Sequence, residues 1–361
     1  MKILALSDSY PVHPRLKKVS RYFGKTETTT FFLWNRGDDE ILGDRSETVF
    51  NLPSSLGNKW KKALNLIRFR KAVKVHLSEF TYDLVICRHW QQLVLLSTIR
   101  NKQKYEIVYD VCDMPNNKWV RHLESRLINK TSIVVLASRF FILHYTSKID
   151  ELVVLENRSW SHLSNKKFVP TKVETPINVT IQLTFLGRIR YGEILARLIE
   201  CVQKDHEISL NFYGTGPDES KLILLVNQLE IKNVYFHGEY IEEKIPNIYE
   251  KSDYIWAAYD NQLLNVKKAI SNKFFETLTY QTPGIFSEDT ELGELITTQE
   301  IGFIVNPYST ESIIECFEKM KDKSMSRKIK NNQKKWNEPL YFDDYLVESP
   351  YLKIDEMKVE K

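Results

Sequence analysis

Residues 179–217 read VTIQLTFLGRIRYGEILARLIECVQKDHEISLNFYGTGP, and their pattern indicates the architecture of the second half of the chain. Two apolar runs, 179–187 and 208–214, each end in glycine and enclose an amphipathic segment that begins near Glu193. Short runs of large apolar residues are typical of parallel strands buried on both faces, whereas the segment between them has helical spacing. The stretch therefore predicts a strand–helix–strand unit of a parallel sheet.

The same alternation continues on both sides of this unit, and a closing helical tail begins near Ser309. The other apolar runs lie at 2–8, 28–34, 83–89, 106–113, 132–138, 151–157, 233–240, 253–259, 284–288 and 303–307. Strands that alternate with helices predict an α/β chain with two Rossmann-like, doubly wound domains. We expect the two sheets to face each other across a cleft that binds the ligand.

The domain boundaries follow from a change in composition. A length of 361 residues is enough for two domains that each bury a core. Polar residues and two prolines dominate between 159 and 179, which makes this stretch the best linker candidate. We expect a tail helix that packs back on the first domain. The expected parts are an N-terminal domain at 1–165, a linker at 166–178, a C-terminal domain at 179–335 and the tail at 336–361.

The composition, with 42% hydrophobic and 27% charged residues, is that of a globular protein. Lys and Arg number 51 against 47 for Asp and Glu, which argues against a nucleic-acid-binding protein. The four cysteines are widely spaced with no CxxC pair, so we expect neither disulfides nor a metal site. No run approaches the roughly 20 apolar residues of a membrane span. We therefore expect a cytoplasmic protein.

Two loops of the second half carry residues suited to phosphate. Gly187 allows a sharp turn, and Arg188 follows it in a position where a guanidinium can hold a phosphate through two hydrogen bonds. In FYGTGP, Gly214 and Gly216 allow the backbone to approach a ligand closely. Each feature alone also fits a surface arginine or an ordinary turn.

The segment AISNKFFETLTYQTPGIFSE at 269–288 is the strongest local signal. Ser271 or Asn272 can cap a helix whose first turn contains Lys273, and a helix N-terminus with a lysine suits a diphosphate. Glu276 follows on the same face, where its carboxylate can accept both hydroxyls of a ribose. The alternative is that Glu276 only stabilises the helix dipole and Lys273 is solvated.

Taken in chain order, the short motifs of the second half resemble the nucleotide-binding half of GT-B glycosyltransferases, most of all the family 4-type enzymes. We call these motifs landmarks. That group includes bacterial transferases for surface polysaccharides and lipid-linked glycans. The landmarks are Gly187-Arg188, Gly214-Thr215-Gly216, Asn233–Gly238, Ser252-Asp253, Ser271-Asn272-Lys273 with Glu276, Pro283-Gly284 and Gly302-Phe303.

The resemblance implies a metal-independent hexosyltransferase without a cofactor, which moves a sugar from a UDP- or GDP-linked donor to an acceptor hydroxyl. It also implies a glycan or lipid-linked acceptor, a role in bacterial cell-surface polysaccharide or glycoconjugate synthesis, and a place in the cytoplasm or at the inner face of the membrane. The expected donor-binding residues are Arg188, Arg190, Tyr213, Gly214, Thr215, Gly216, Tyr240, Ile241, Ser271, Asn272, Lys273 and Glu276.

Two other functions stay open at this point. A nucleotide-sugar epimerase can use the same fold, although it needs more acid and base groups than the sequence offers. A non-catalytic GT-B partner subunit is the second alternative, because Ala269 stands where relatives carry a glutamate and the first loop lacks a Gly-Gly pair.

The catalytic groups are expected in the N-terminal domain. His13 lies in the loop after the first predicted strand, and Asp113 ends the predicted strand at 106–113. A carboxylate at that position can orient or deprotonate an acceptor hydroxyl. The alternatives are a solvated loop histidine and an aspartate that caps a turn.

The segment Lys59–Lys74 is basic and contains no acidic residue. Trp60, Ala63, Leu64 and Ile67 share one helical face, so this helix can dock on an anionic membrane surface. The alternative is an ordinary helix of the domain with a solvated basic side.

Overall fold

The computed structural model describes residues 1–54, 59–99, 104–145, 151–161 and 180–352. The expected linker at 166–178 lies outside the described residues. Contacts divide the chain into two compact units, and the first consists of Met1–Asn157 together with Phe342–Lys361. The second unit is Arg158–Tyr341. Among the described residues, no helix is both long and apolar enough to cross a bilayer.

The described part of the first unit contains a seven-stranded parallel sheet in the order β3-β2-β1-β4-β5-β6-β7. The chain runs outward from β1 to β3 and then returns to the other side of β1, so the order reverses between β1 and β4. The strands are β1 Ile3–Ser7, β2 Thr29–Asn35, β3 Glu47–Asn51, β4 Leu84–Cys87, β5 Glu106–Val111, β6 Ile133–Leu136 and β7 Glu151–Val154.

Helices follow most of these strands. The first begins after His13, whose ring nitrogen accepts a hydrogen bond from the backbone N–H of Arg15, and Pro14 at its first position favours a helix start. The tail returns to this unit, where the Ser349 hydroxyl donates to the Tyr22 carbonyl at 2.6 Å. The helices are Pro14–Phe23, Lys59–Glu79, Trp90–Thr98, Lys118–Leu127, Ile142–Tyr145 and Asp343–Glu348.

The second unit contains a six-stranded parallel sheet in its described part, in the order β10-β9-β8-β11-β12-β13. Its order reverses between β8 and β11. The strands are β8 Ile181–Leu186, β9 Ile208–Tyr213, β10 Val234–Phe236, β11 Tyr254–Ala257, β12 Gly284–Ser287 and β13 Gly302–Val305. The helices are Gly192–Gln203, Glu219–Gln228, Ile245–Lys251, Leu264–Lys268, Asn272–Thr279, Glu291–Gln299, Thr310–Lys321 and Lys323–Gln333.

Buried aromatic and aliphatic side chains form the core of the second unit, with Phe212 on β9 and Trp256 on β11 fully enclosed on either side of β8. The α/β architecture with two Rossmann-like units is confirmed. Two details differ from the sequence expectation. β5 ends at Val111, so Asp113 lies two residues beyond the strand, and β3 was not predicted because its residues are only half-buried.

Candidate functional site

Backbone hydrogen bonds join the loops at the carboxyl ends of β8, β9 and β10. The Gly187 N–H donates to the Tyr213 carbonyl at 2.9 Å, and the Gly214 N–H donates to the Gly238 carbonyl at 2.7 Å. Gly214 has a φ of +120°, and a Cβ there would lie 2.0 Å from the Gly187 oxygen. Only glycine fits this approach, so the loops after β8 and β9 form one surface.

Gly216 is required for the same reason. A Cβ on it would lie 2.1 Å from the Ile189 carbonyl oxygen, and the Ile189 N–H donates to the Thr215 carbonyl at 2.9 Å. The sequence suggested that these glycines admit a ligand to the backbone. The structure shows that they first allow two loops to pack against each other.

Arg188 and Arg190 flank the fully buried Ile189, and both arginines are exposed. The Arg190 guanidinium lies 4.9 Å from the centre of the Tyr191 ring. Tyr191 has a φ of 67° and precedes the helix Gly192–Gln203. Buried Ile189 anchors the loop, and the arginines on either side of it remain accessible to an anion from solvent.

The helix Asn272–Thr279 begins where the sequence predicted. The Ser271 hydroxyl accepts a hydrogen bond from the Lys273 N–H at 3.2 Å and so caps the helix. Lys273 is only 8% exposed and Glu276 only 4%. Lys273 is therefore not solvated, contrary to the alternative interpretation of this residue.

Lys273 and Glu276 form a buried ion pair. Lys273 Nζ lies 2.7 Å from Glu276 Oε2, and the Tyr249 hydroxyl donates to the same oxygen at 2.8 Å. Burial lowers the pKa of Lys273, but the Glu276 carboxylate together with Tyr240 and Tyr259 more than offsets this effect, so the net pKa is raised. Burial and the same carboxylate raise the pKa of Tyr249 well above its ordinary value. The lysine is therefore charged and the tyrosine neutral at physiological pH.

The two donors leave one carboxylate oxygen open. Both hydrogen bonds to the Glu276 side chain end on Oε2, and Oε1 accepts none from any residue that the structure describes. A carboxylate oxygen has two lone pairs that accept hydrogen bonds. Tyr249 and Lys273 thus hold the carboxylate in place and leave Oε1 able to accept from a hydroxyl-bearing ligand.

The remaining predicted donor residues surround this helix and the joined loops. Tyr240 is half-buried, and its pKa is raised by burial while Lys273 opposes the rise, so the phenol lies within electrostatic reach of the ion pair. The Thr215 hydroxyl donates to Glu239 at 3.2 Å. Ile241 and Asn272 are exposed.

An aromatic stack orients the Tyr213 side chain. Its ring stacks on the His237 ring with centroids 4.2 Å apart and planes 10° from parallel. The stack keeps the Tyr213 ring in a fixed orientation directly before Gly214.

In the first unit, His13 is a helix cap. Its Nδ1 accepts from the Arg15 N–H at 3.2 Å, which leaves the ring proton of the neutral form on Nε2. Although the residue keeps an exposed edge, burial, with a contribution from Arg88, lowers the pKa of His13 to about 4. The ring is neutral at physiological pH, so Nε2 can donate a hydrogen bond but cannot accept a proton.

A buried carboxylate that the sequence analysis did not single out, Asp110, pairs with Arg15. Asp113 is exposed, whereas Asp110 in β5 is fully buried and accepts from the Arg15 guanidinium at 2.6 Å. Sequence reasoning missed Asp110, although its place inside an apolar run signals a buried charge that needs a partner. In the described ranges, no group of three or more His, Cys, Asp or Glu side chains is arranged to hold a metal ion.

Comparisons with known proteins bear on both units. Residues 172–336 match the family model described as Glycosyl transferases group 1. No curated protein matches the sequence. Among solved structures, sucrose-phosphate synthase from Thermosynechococcus elongatus is 12% identical with a TM-score of 0.73, and the match covers 99% of this chain and 100% of that chain.

Two further solved structures show the same similarity. HepE from Anabaena, in complex with UDP-glucose, is 14% identical with a TM-score of 0.71, and all of both chains is covered. A glycosyltransferase from Rickettsia africae is 14% identical with a TM-score of 0.61, over 99% of this chain and 97% of that chain. These similarities confirm the two-unit fold. The family match contains the predicted donor-binding residues, whereas His13 and Asp113 lie outside it.

Proposed function

We propose that this chain transfers a sugar from a nucleoside diphosphate sugar to an acceptor hydroxyl, because residues 172–336 match the family model of group 1 glycosyl transferases. The anomeric carbon forms a bond to the acceptor oxygen, the bond to the diphosphate oxygen breaks, and the acceptor proton passes to a base. The nucleoside diphosphate leaves with both of its phosphates. Groups that stabilise this developing negative charge lower the barrier.

The observation that carries the proposal is the open oxygen of Glu276 beside a buried lysine at a helix N-terminus. In the proposed complex Oε1 accepts from the ribose hydroxyls, while Lys273, the helix N-terminus and Arg188 face the diphosphate. The Tyr240 phenol lies near the same ion pair and in the proposal contacts the base. The donor is a UDP- or GDP-sugar, and the HepE structure with UDP-glucose supports the first.

The first unit supplies the acceptor side in this proposal. Asp113 is exposed and lies beyond the carboxyl end of β5, where a carboxylate can take the proton of an acceptor hydroxyl. His13 orients that hydroxyl through its Nε2–H, because Nδ1 is already used in the helix cap. No metal takes part in the proposed reaction.

The setting we propose is the synthesis of bacterial surface polysaccharide or glycoconjugate in the cytoplasm, with contact to the inner face of the membrane. In the helix Lys59–Glu79, Leu64 is 60% and Ile67 61% exposed, whereas Phe69 and Val73 on the opposite face are fully buried. The predicted apolar edge therefore faces solvent in its described part. Exposed apolar groups beside lysines and arginines suit an anionic bilayer surface.

The test of donor binding is the thermal stability of the full chain with UDP, GDP, ADP, CMP and their sugars. A ligand at 100 times its dissociation constant adds about 2.7 kcal/mol to the stability of the state that binds it. We expect a clear shift with UDP- or GDP-sugars, a smaller one with 2′-deoxy-UDP, and a strongly reduced one in Arg188→Gln. The matched control is Lys232→Gln. Lys232 is exposed and lies before the amino end of β10, whereas Arg188 follows the carboxyl end of β8 in the same sheet.

Transfer is tested with the same proteins and a radiolabelled donor. Asp113→Asn should bind the donor with unchanged affinity and lose transfer to acceptor extracts. Isomerised sugar without an acceptor would favour the epimerase, and donor binding without any product would favour the partner subunit. If no nucleotide shifts the wild type, or if Arg188→Gln and Lys232→Gln behave alike, the donor-site assignment is wrong.

A further inference from the structure

Two buried arginines, Arg15 and Arg88, lie near the carboxyl ends of β1 and β4, where the strand order of the first sheet reverses. Arg15 lies in the first turn of the helix that follows β1, and Arg88 comes directly after β4. Strand register pairs Cys87 with Tyr109, which places Arg88 beside Asp110. Ligands of doubly wound sheets bind at such a reversal of strand order.

One arginine of this cluster is fully used by protein groups. Arg15 Nε lies 3.0 Å from both oxygens of Asp110, one Nη donates to Asp110 at 2.6 Å, and the other donates to the Leu155 carbonyl at 2.8 Å. Arg15 is 2% exposed and Asp110 is fully buried. In this bidentate ion pair the charge of Asp110 compensates that of Arg15.

The second arginine has no equivalent partner. Arg88 is 7% exposed, and its Nε lies 3.9 Å from Asp110 and 3.4 Å from Cys112 Sγ. Its two Nη groups make no hydrogen bond with any residue in the described ranges. Burial, together with Asp110, raises the pKa of Cys112 to about 12, so the thiol is neutral and leaves the charge of Arg88 in place. A buried charge without a full partner is costly, and an anion would offset that cost.

Two helix N-termini near Arg88 contribute partial positive charge. His13 and His89 stand at the starts of the helices Pro14–Phe23 and Trp90–Thr98, and neither helix has an acidic residue in its first turn. Burial lowers the pKa of His89, and Arg88 contributes to the lowering. Both rings are neutral donors at physiological pH, and both helix N-termini carry partial positive charge.

Besides Asp110, which pairs with Arg15, two further acidic residues, Asp8 and Asp113, lie near His89. Asp8 is paired with Arg36 at 2.9 Å and so is compensated by another arginine. Asp113 is exposed and is the base of the proposed transfer. The charge of Arg88 is therefore not cancelled by a buried neighbour.

We propose that Arg88, with His89, binds a phosphate group carried by the acceptor. That the ligand is the sugar acceptor rests on the proposed function. The anion site itself is formed by residues of the first unit alone. The Nη groups of Arg88 hold two phosphate oxygens in parallel hydrogen bonds, and the neutral His89 ring donates to one of them. The acceptor is thus a sugar phosphate or a lipid diphosphate rather than a neutral glycan.

The experiment measures binding of inorganic phosphate, glucose 6-phosphate and farnesyl diphosphate to the full chain by calorimetry and thermal shift. We expect at least one of the two organic phosphates to bind, with the affinity falling at least tenfold in Arg88→Gln. Arg88→Lys keeps the charge without the paired geometry and should be intermediate. Replacement of Arg88 leaves the Arg15–Asp110 pair intact, and unfolding curves of each variant confirm the fold.

The control is Arg126→Gln, which removes an exposed arginine in the last turn of the helix Lys118–Leu127 and should leave binding unchanged. Binding should also persist in Arg188→Gln, so failure of the donor site does not imitate failure of this one. Preference for glucose 6-phosphate identifies a soluble sugar phosphate, and preference for farnesyl diphosphate identifies a lipid diphosphate. The proposal is overturned if no probe binds, or if binding in folded Arg88→Gln equals that of the wild type.

Discussion

Replacing Lys273 by methionine tests whether the buried ion pair stabilises the second unit. Lys273 Nζ lies 2.7 Å from Glu276 Oε2, and the two side chains are 10% and 5% exposed. Removal of the ammonium leaves a buried carboxylate with Tyr249 as its remaining described partner. Loss of one member of a buried pair costs about 3–5 kcal/mol, and we expect the free energy of unfolding of the second unit to fall by that amount.

The measurement is urea unfolding combined with hydrogen–deuterium exchange of peptides that cover β11 and β12. Exchange assigns the loss to the second unit, because two units need not unfold in one step. The matched control is Lys328→Met, which breaks an ion pair with Glu300 whose side chains are 59% and 56% exposed. Exposed pairs contribute little, so this control should leave the exchange of β11 and β12 unchanged.

A double variant makes the test decisive. Lys273→Met combined with Glu276→Gln leaves no buried charge, so it should be more stable than Lys273→Met alone. If the double variant instead loses the sum of the two single losses, the side chains do not interact and the reasoning is refuted.

The pair also makes stability depend on alkaline pH. Burial lowers the pKa of Lys273, but Glu276 with Tyr240 and Tyr259 more than offsets it, so the pKa is raised from its ordinary value of 10.5. A group with a raised pKa in the folded state stabilises fully below its unfolded pKa, and this contribution disappears as the pH rises through the folded pKa. The stability advantage of the wild type over Lys273→Met should therefore shrink above pH 10.5.

Two further predictions concern the loops and the basic helix. Gly214→Ala places a Cβ 2.0 Å from the Gly187 oxygen at a φ of +120°, and we expect a loss of about 2 kcal/mol or more in urea unfolding. Gly238→Ala, with a φ of +71° and no atom within 4 Å, should lose less, and equal losses would contradict the packing argument. Leu64→Ser with Ile67→Ser should weaken co-sedimentation with phosphatidylglycerol vesicles without altering the unfolding midpoint. Unchanged co-sedimentation would exclude this face as the membrane contact.

Local patterns in the sequence were enough to predict the architecture. Strands β8 and β9 with the helix Gly192–Gln203 appear where apolar runs and helical spacing placed them, because parallel strands and amphipathic helices have different periods. The cap at Ser271 was also predictable, since a short hydroxyl before a helical segment accepts from a backbone N–H two residues later. β3 was missed because a half-buried edge strand has a weak apolar signal.

The positions of the candidate donor-binding residues in the chain could be predicted from the sequence. Their burial and their pairing with one another could not. A lysine and a glutamate three residues apart suggested two separate ligand contacts, whereas burial between the sheet and Tyr249 joins them in one ion pair. Likewise, the glycines at 214 and 216 looked like places for a ligand. Their first requirement is close packing against the loop at 187–189, which no local pattern reveals.

Residues close together in the chain specify which segments become strands and helices and which loops lie at the carboxyl ends of the strands, so these features could be predicted locally. Tertiary structure alone decided that Arg15 and Asp110, 95 positions apart, form a buried pair that leaves Arg88 with an excess charge. Burial and charge balance depend on which distant side chains share a volume from which water is excluded. That information arises only when the sheet assembles.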